Sequence, residues 1–317
     1  MALEYYGTRW LKDGFQFPSL LEYIVQTRQA LSRPMQAPAY AAADENRRLE
    51  KVNEEVKADP YLSRAQFHES VKNYEKAFQN VRGLSYADNP ALYDVCIFTA
   101  NKLMKLTPMI FLYETQKPGF IYNASATDYQ DKAYIYVSNQ FFAEHGMLKP
   151  EELCFIIGHE LGHVQCHHIY ISSVNQTGTS NDEYSADRAG LIACIAWIRK
   201  ERPQCTVDQA AREAVLYAAS ALQKLRLAAE KGPGKNKWAD FDYDSIQKTI
   251  GEIFQGASTL TVSLGTHPHL RHRIMAMVHF RQSQLLYRCL GEPLRSDENL
   301  YSDSQLQAIM AYQLKAD

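Results

Sequence analysis

The sequence predicts an α+β protein that is mostly helical, with one small sheet directly before a histidine-rich helix. Apolar residues spaced three and four apart, which are typical of amphipathic helices, occur toward both ends of the 317-residue chain. Residues 108–138 instead hold short runs of β-branched and aromatic residues separated by turn residues, as strands do. Pro150 and the two acids after it favour the first turn of a new helix.

The helices before the sheet are predicted from their apolar spacing. Residues 19–33 form an amphipathic pattern that Pro34 and Pro38 end. Residues 42–58 are mostly charged, which predicts a solvated helix. The next two helices have apolar stripes, and for residues 63–82 packing in a core or an interface explains the stripe without any cofactor. These stripes are Phe67, Val71, Tyr74, Phe78 and Val81 in residues 63–82, and Leu92, Val95, Cys96, Leu103 and Leu106 in residues 90–106.

Three strands and the remaining helices complete the prediction. Thr206 and Gln209 form a capping box, so a helix is expected to begin directly after Thr206. The run at 232–237 is a loop. The strands are 108–115, 119–126 and 132–138, and the helices after the one that begins at Pro150 are 182–200, 207–230, 242–257, 269–289 and 303–315.

The composition is that of an ordinary globular protein, 46% hydrophobic and 22% charged. A net charge of −2 and a pI near 6.6 give no reason to expect a nucleic acid or an anionic membrane as partner. We find no signal-peptide pattern and no apolar run of the ~18 residues that a transmembrane helix needs. We therefore expect a cytoplasmic protein whose six cysteines are reduced thiols, not three disulfides.

Residues 154–168, CFIIGHELGHVQCHH, are dense in metal-ligating side chains. His159 and His163 are four residues apart, so on a helix they lie on one face and can bind one ion together. Glu160 is adjacent to them. This H-E-x-x-H arrangement is the zinc-metallopeptidase signature, in which the histidines bind zinc and the glutamate is a general base. Gly158 and Gly162 are poor helix formers, and close approach of another backbone would favour them there.

A third ligand is expected from the next helix, because a catalytic zinc site uses three protein ligands and keeps a fourth position open. The segment NDEYSADRAG, residues 181–190, offers Glu183 for this role. Asp187 follows four residues later on the same face and is spaced to accept a hydrogen bond from a ligand histidine.

The remaining potential ligands are predicted to stay outside this site. Cys166 and His167 lie one turn beyond His163, too far along the helix to join His159 easily, and His168 is expected to point elsewhere. A helix-terminal histidine pair that interacts with the last carbonyls is the ordinary role for His167 and His168. Inhibition by the Cys166 thiol is an open alternative, whereas no second ligand pair supports a structural Cys2His2 site.

Residues 120–190 resemble the gluzincin metallopeptidases of the HtpX-like, CaaX-prenyl-protease-like and Oma-type family. The hallmark of that family is H-E-x-x-H followed by E-[FY]-x-A-D-x-x-[AG], and this chain has HELGH and then EYSADRAG. The family's His-Pro loop is matched by THPHLRHRI at 266–274, and YNASAT and AYIYVSN match its segment before the metal helix. The resemblance covers roughly residues 90–280 and implies a zincin-like core with one zinc ion per chain.

The resemblance also implies roles for three further parts of the chain. The YNASAT segment would be an edge strand with which an extended peptide substrate pairs. His267 would stabilise an oxyanion or, alternatively, only pack its loop. Arg273 would anchor that loop by pairing with an acid. The residues of the edge strand are Tyr122, Asn123, Ala124 and Ser125.

The family pattern divides the chain into three parts. Residues 1–89 are a helical segment without an assigned role, which covers the cleft, binds a partner or is simply structural. Residues 90–280 are the peptidase domain with a helical insertion at about 200–265, and residues 281–317 are a helical tail packed on it. Membrane-embedded members carry transmembrane helices that this sequence does not show, so processing of prenylated proteins within the bilayer is not expected.

We therefore expect a soluble zinc peptidase that acts on proteins or peptides in an extended conformation. Zinc would be held by His159, His163 and Glu183, with Glu160 as the general base. Two alternatives stay open: a latent peptidase whose own segment blocks the cleft, and a regulatory or chaperone-like binding protein that keeps the zinc site as a scaffold. The intact Glu160 argues against the second, because a purely structural site does not need a base.

Overall fold

A bundle of helices with a small mixed sheet beside it makes up the described part of the computed structural model. The structure describes residues 36–58, 81–113, 124–129, 132–138, 148–168, 180–231, 270–294 and 299–314, together with 9–10, 16–17 and 248. The helices are α1 Glu45–Ala58, α2 Pro90–Leu103, α3 Pro150–Gln165, α4 Ser180–Glu201, α5 Val207–Lys231, α6 Leu270–Arg281, α7 Gln284–Leu290 and α8 Asp303–Leu314. The strands are β1 Arg9–Trp10, β2 Gln16–Phe17, β3 Val81–Gly83, β4 Thr107–Tyr113, β5 Ala124–Tyr129 and β6 Lys132–Ser138.

The main sheet has the strand order β3-β4-β6-β5, so β5 lies at one edge of it within the described residues. β4 and β6 are parallel, and the other two pairs are antiparallel. The three predicted strands are present, although the part of the second one at 119–123 lies outside the described residues. The prediction that Val81 is helical was wrong. Val81 lies in β3 and pairs with Tyr113 of β4, and this long-range pairing overrides the local apolar spacing.

Apart from residues 81–82, the predicted helices are confirmed within one to three residues where the structure describes them, with one exception. The predicted helix 269–289 is wrong as a single helix, because α6 ends at Arg281 and α7 begins at Gln284. Ser283 separates them: its hydroxyl caps α7 by accepting from the backbone N–H of Leu286. The capping box of Thr206 and Gln209 forms as predicted. Residues 19–33 and 59–80, and 242–257 apart from residue 248, lie outside the described residues.

Helix α1 exists as predicted, but it is not a solvated helix along its whole length. Glu45 and Leu49, four residues apart and therefore on one face, are fully buried, whereas Glu50 is exposed. Arg48 forms an ion pair with Asp182 at the start of α4. The first turns of α1 are therefore packed against the start of α4. The high charge of this segment did not indicate this burial.

Helices α3 and α4 run in opposite directions and are in backbone contact. A Cβ atom built on Gly158 would lie 2.9 Å from Cα of Gly190, and one on Gly162 would lie 2.9 Å from Cα of Ala186. Ordinary side chains would force these helices apart, so the prediction that a close backbone favours the two glycines is confirmed. Gly190 serves the same contact from α4, where an added Cβ would lie 2.6 Å from the carbonyl oxygen of Phe155.

A buried ion pair fixes the start of α3 against α5. The Lys224 ammonium donates to both carboxylate oxygens of Glu152, at 3.0 and 2.8 Å, and the Ser220 hydroxyl donates to the same carboxylate. Glu152 also accepts from the backbone N–H of Lys149 at 2.7 Å, which caps α3. Helix α5, within the predicted insertion, is therefore part of the support of α3.

All six cysteines lie in described residues and none is in a disulfide, in agreement with the prediction of reduced thiols. Among the helices that the structure describes, none is both long and apolar enough to cross a membrane. The cytoplasmic location stays a prediction.

The helix contact predicts the effect of Gly190→Ala. The added methyl group would overlap the backbone of α3, so we expect the free energy of unfolding to fall by about 1–3 kcal/mol, although alanine favours a helix by about 1 kcal/mol. Urea unfolding measures the change. Gly291→Ala is the matched control: nothing lies within 4 Å of its added Cβ, so only the φ of +72° contributes, about 1 kcal/mol. A Gly190→Ala protein as stable as the wild type would contradict the contact.

Candidate metal centre

Two histidines of α3 lie close together at the interface between α3 and α4. His159 and His163 are one turn apart, and their Nε2 atoms lie 3.1 Å from each other. His159 is buried, and His163 is partly buried with 19% of its side chain exposed. Both rings therefore direct the same nitrogen to one point, as helical spacing allows.

Glu183 of α4 completes a group of three possible ligands. Its carboxylate oxygens lie 3.5 Å from Nε2 of His159 and 3.6 Å from Nε2 of His163. Metal–ligand bonds of 2.0–2.1 Å at tetrahedral angles place ligand atoms about 3.3 Å apart. The three measured separations are close to this value, and two imidazoles with one carboxylate are a ligand set that zinc takes in peptidases. The three residues therefore fit a zinc ion.

Asp187 and Arg273 hold the outer side of His159. Oδ1 of Asp187 lies 3.0 Å from Nδ1 of His159, so the carboxylate accepts the Nδ1 hydrogen and leaves Nε2 to face the other ligands. Arg273 of α6 donates to both oxygens of Asp187, at 2.8 and 2.5 Å. This fork is the ion pair with an acid that was expected for Arg273. It joins α6 to α4 directly behind the metal centre.

The charges of this group shift the pKa values of its members in different directions. Burial raises the pKa of Asp187, but Arg273 and the His159 hydrogen bond outweigh it, and the net pKa is lowered. Burial lowers the pKa of His159, but Asp187 and Glu183 reverse this and raise it. Burial and the neighbouring His159 lower the pKa of His163 to about 3. His163 is therefore neutral at physiological pH, which is the form that binds metal.

His168 contacts the centre, so the prediction that it points elsewhere was wrong. His167 adopts a left-handed conformation with φ of 59°, which ends the helix and turns the chain back. As a result Nδ1 of His168 lies 2.8 Å from Nδ1 of His163, a contact that five-residue spacing on a continuous helix would not give. On its other side, Nε2 of His168 lies 3.1 Å from Oε1 of the buried Glu45.

Cys166 belongs to this outer group and not to the three inner ligands. It is fully buried, and its Sγ lies within 4.8 Å of ligand atoms of Glu45 and His168. Burial, followed by the charge of Glu45, raises the pKa of its thiol well above the ordinary value. Inhibition by this thiol stays an untested alternative.

The other predicted site residues are described only in part. Glu160 lies on α3 beside the two histidines and is partly buried. Ala124 is buried at the start of the edge strand β5, with Ser125 next to it. Tyr122, Asn123 and His267 lie outside the described residues. Their roles in substrate binding and oxyanion stabilisation stay predictions.

Sequence reasoning missed Glu45 as a member of the site. It is separated from His168 by 123 positions, and the mostly charged segment around it carries no local signal of burial. His168 was considered but excluded, because its position was judged on a continuous helix. The left-handed conformation of His167 cannot be predicted from the sequence, since it is not a glycine.

One comparison with known proteins, that with protein families, gives a match. The sequence profile of peptidase family M48 matches residues 100–281, which is more than half of the chain. The chain therefore belongs to peptidase family M48, a family of zinc metallopeptidases. Neither the curated proteins nor the solved structures contain a significant match. The M48 match spans α3, α4, α5 and α6, and so includes all three possible ligands, Asp187 and Arg273.

The Asp187–Arg273 pair predicts a large effect of Asp187→Asn on stability. Removing the Asp187 charge leaves the buried guanidinium of Arg273 with the Glu183 carboxylate, 3.5 Å away, as a weaker partner, so the free energy of unfolding should fall by about 1–3 kcal/mol. Urea unfolding in the presence of a chelator measures this without a contribution from metal. Asp208→Asn is the matched control, because that carboxylate also pairs with arginines, Arg212 and Arg281, but is 36% exposed. Its loss should stay below about 1 kcal/mol; equal losses for both variants would contradict the argument.

Proposed function

We propose that this protein is a peptidase that hydrolyses peptide bonds of proteins or peptides, with one zinc ion held by His159, His163 and Glu183. The observation that carries the proposal is the convergence of two Nε2 atoms and one carboxylate at separations of 3.1 to 3.6 Å. Membership of a metallopeptidase family agrees with it. These ligands come from two helices that touch through glycine, so their geometry is fixed before any metal arrives.

Glu160 is the residue to which we assign the chemistry. A zinc ion in such a site supplies a Lewis acid that acidifies water and polarises a carbonyl oxygen. Glu160 follows His159 directly and is not one of the three ligands, and we assign the role of base to its carboxylate. It takes the proton of the attacking water and passes it to the leaving amine nitrogen, which breaks the C–N bond. Each proton that it accepts is thus returned within one turnover.

The remaining groups position the ligands and the substrate in this proposal. Asp187 holds His159 in the tautomer with hydrogen on Nδ1, and Arg273 keeps Asp187 ionised. Strand β5 is at an edge of the sheet within the described residues, and this supports an extended substrate that adds a strand there. His267 is proposed to donate to the oxyanion of the tetrahedral intermediate.

The test of the ligand assignment and the test of the base use different variants. His159→Ala and Glu183→Ala should each lose zinc, because two ligands do not hold the ion tightly. Glu160→Gln should keep one zinc per chain and lose at least about 100-fold in cleavage of an unfolded protein substrate. Metal analysis of the purified proteins and gel assays of cleavage measure these two properties separately.

Glu151→Gln is the control for the base, since it makes the same change on the same helix, in its first turn, away from the ligands. It should cleave at the wild-type rate. Full zinc in both ligand variants would contradict the ligand assignment. A zinc-loaded wild type that cleaves nothing more than Glu160→Gln would contradict the peptidase proposal and favour a zinc-containing binding protein.

A further inference from the structure

A line of buried hydrogen-bonding groups leads from the metal centre to the N-terminal part of the chain. Nδ1 of His163 lies 2.8 Å from Nδ1 of His168, and Nε2 of His168 lies 3.1 Å from Oε1 of Glu45. Only 5% of His168 is exposed and Glu45 is fully buried. Because His168 and Glu45 are buried, their polar atoms need hydrogen-bond partners, and these two contacts supply them.

The two contacts have only one consistent arrangement of hydrogens when His163 binds a metal. A neutral His163 that offers Nε2 to the ion carries its hydrogen on Nδ1. That hydrogen is donated to Nδ1 of His168, which must then be the acceptor. His168 in turn carries its hydrogen on Nε2 and donates it to the carboxylate of Glu45. The carboxylate at the end of the line thus fixes the tautomers of both rings.

The same reasoning separates this role from a second metal site. Glu45, Cys166 and His168 have ligand atoms within 4.8 Å of one another and are all buried. A metal on Nε2 of His168 would leave that ring with its hydrogen on Nδ1. Two N–H groups would then face each other across 2.8 Å whenever His163 also bound metal. The contact between the two rings therefore favours a hydrogen-bonded line over a second ion.

Glu45 itself is held in place by the structure around it. The Ser185 hydroxyl of α4 donates to Oε1 of Glu45, the oxygen that His168 also contacts, and accepts from the backbone N–H of Ala42 at 2.9 Å. One turn along α1, Arg48 pairs with Asp182, which is next to the ligand Glu183. The segment that carries Glu45 is thus attached to the first turn of α4 from several sides.

We propose that His168 and Glu45 are positioning residues for His163, and that residues 42–48 are therefore a part of the metal centre. This inference rests on the proposed zinc site. In it, each zinc-binding histidine has its own buried carboxylate: Asp187 directly for His159, and Glu45 through His168 for His163. Such partners typically contribute 10–100-fold to metal affinity by fixing the ring and its tautomer.

Zinc affinity of the full-length protein, measured by competition with a chelator, tests the proposal. His168→Leu removes the acceptor for the His163 hydrogen and should weaken zinc binding about 10–100-fold. His168→Asn is the conservative variant: its side-chain oxygen stands near the place of Nδ1 and still accepts, so most of the affinity should return. Glu45→Gln keeps an acceptor without the charge and should lie between these values. Glu50→Gln, an exposed change on the same helix, should bind zinc like the wild type.

The tautomer of His163 gives a readout that a merely structural role would not change. In zinc-free protein with ¹⁵N-labelled histidine, the ring of wild-type His163 should carry its hydrogen on Nδ1. In zinc-free His168→Leu it should exchange between both nitrogens. His168→Asn should restore the wild-type state.

The outcomes separate this proposal from the zinc site on which it rests. If His159→Ala keeps its zinc, the zinc site itself is wrong. If His159→Ala loses zinc but His168→Leu binds it as tightly as the wild type, only the positioning role is wrong. Two zinc ions per wild-type chain, the second lost in Cys166→Ala, would overturn the hydrogen-bonded line in favour of a second ion.

Discussion

The proposed metal centre depends on the backbone contact between α3 and α4. Two of the possible ligands come from α3 and one from α4, and their atoms can lie 3.1 to 3.6 Å apart only if the helix axes approach closely. Gly158 and Gly162 allow this approach from α3, and Gly190 allows it from α4. Intrinsic helix propensity is sacrificed at all three positions, each by about 1 kcal/mol. The site thus requires this contact, and the contact in turn requires glycine at these positions of the core.

A second constraint is that each histidine must present the correct nitrogen. In the proposed site, buried acids from outside α3 meet this constraint. Asp187 of α4 serves His159 and is itself held by Arg273 of α6, while His168 and Glu45 lie behind His163. Helices that are distant in sequence therefore converge on two imidazole rings. A change in α6 or α1 should reach the metal centre through these hydrogen bonds without any contact with substrate.

Much of this arrangement was visible in the sequence because it is local. The four-residue spacing of His159 and His163 and the position of Asp187 one turn after Glu183 follow from helical periodicity alone. Gly158 and Gly162 predicted a close backbone contact of α3, but not that α4 would make it. The features that could not be predicted depend on the tertiary fold. Val81 joins a strand through pairing with Tyr113, and the left-handed conformation of His167 brings His168 into contact with His163. Glu45 lies in a charged segment whose burial becomes evident only when α4 is in place.

X-ray absorption at the zinc edge tests the central claim most directly, because it identifies the atoms bound to the ion. Zinc held by His159, His163 and Glu183 predicts a shell of nitrogen and oxygen only, at about 2.0–2.1 Å, with the scattering pattern of two imidazoles. His163→Ala should then reduce the imidazole contribution or abolish binding. A sulfur neighbour at about 2.3 Å would instead place the ion with Cys166, His168 and Glu45, and would contradict the account.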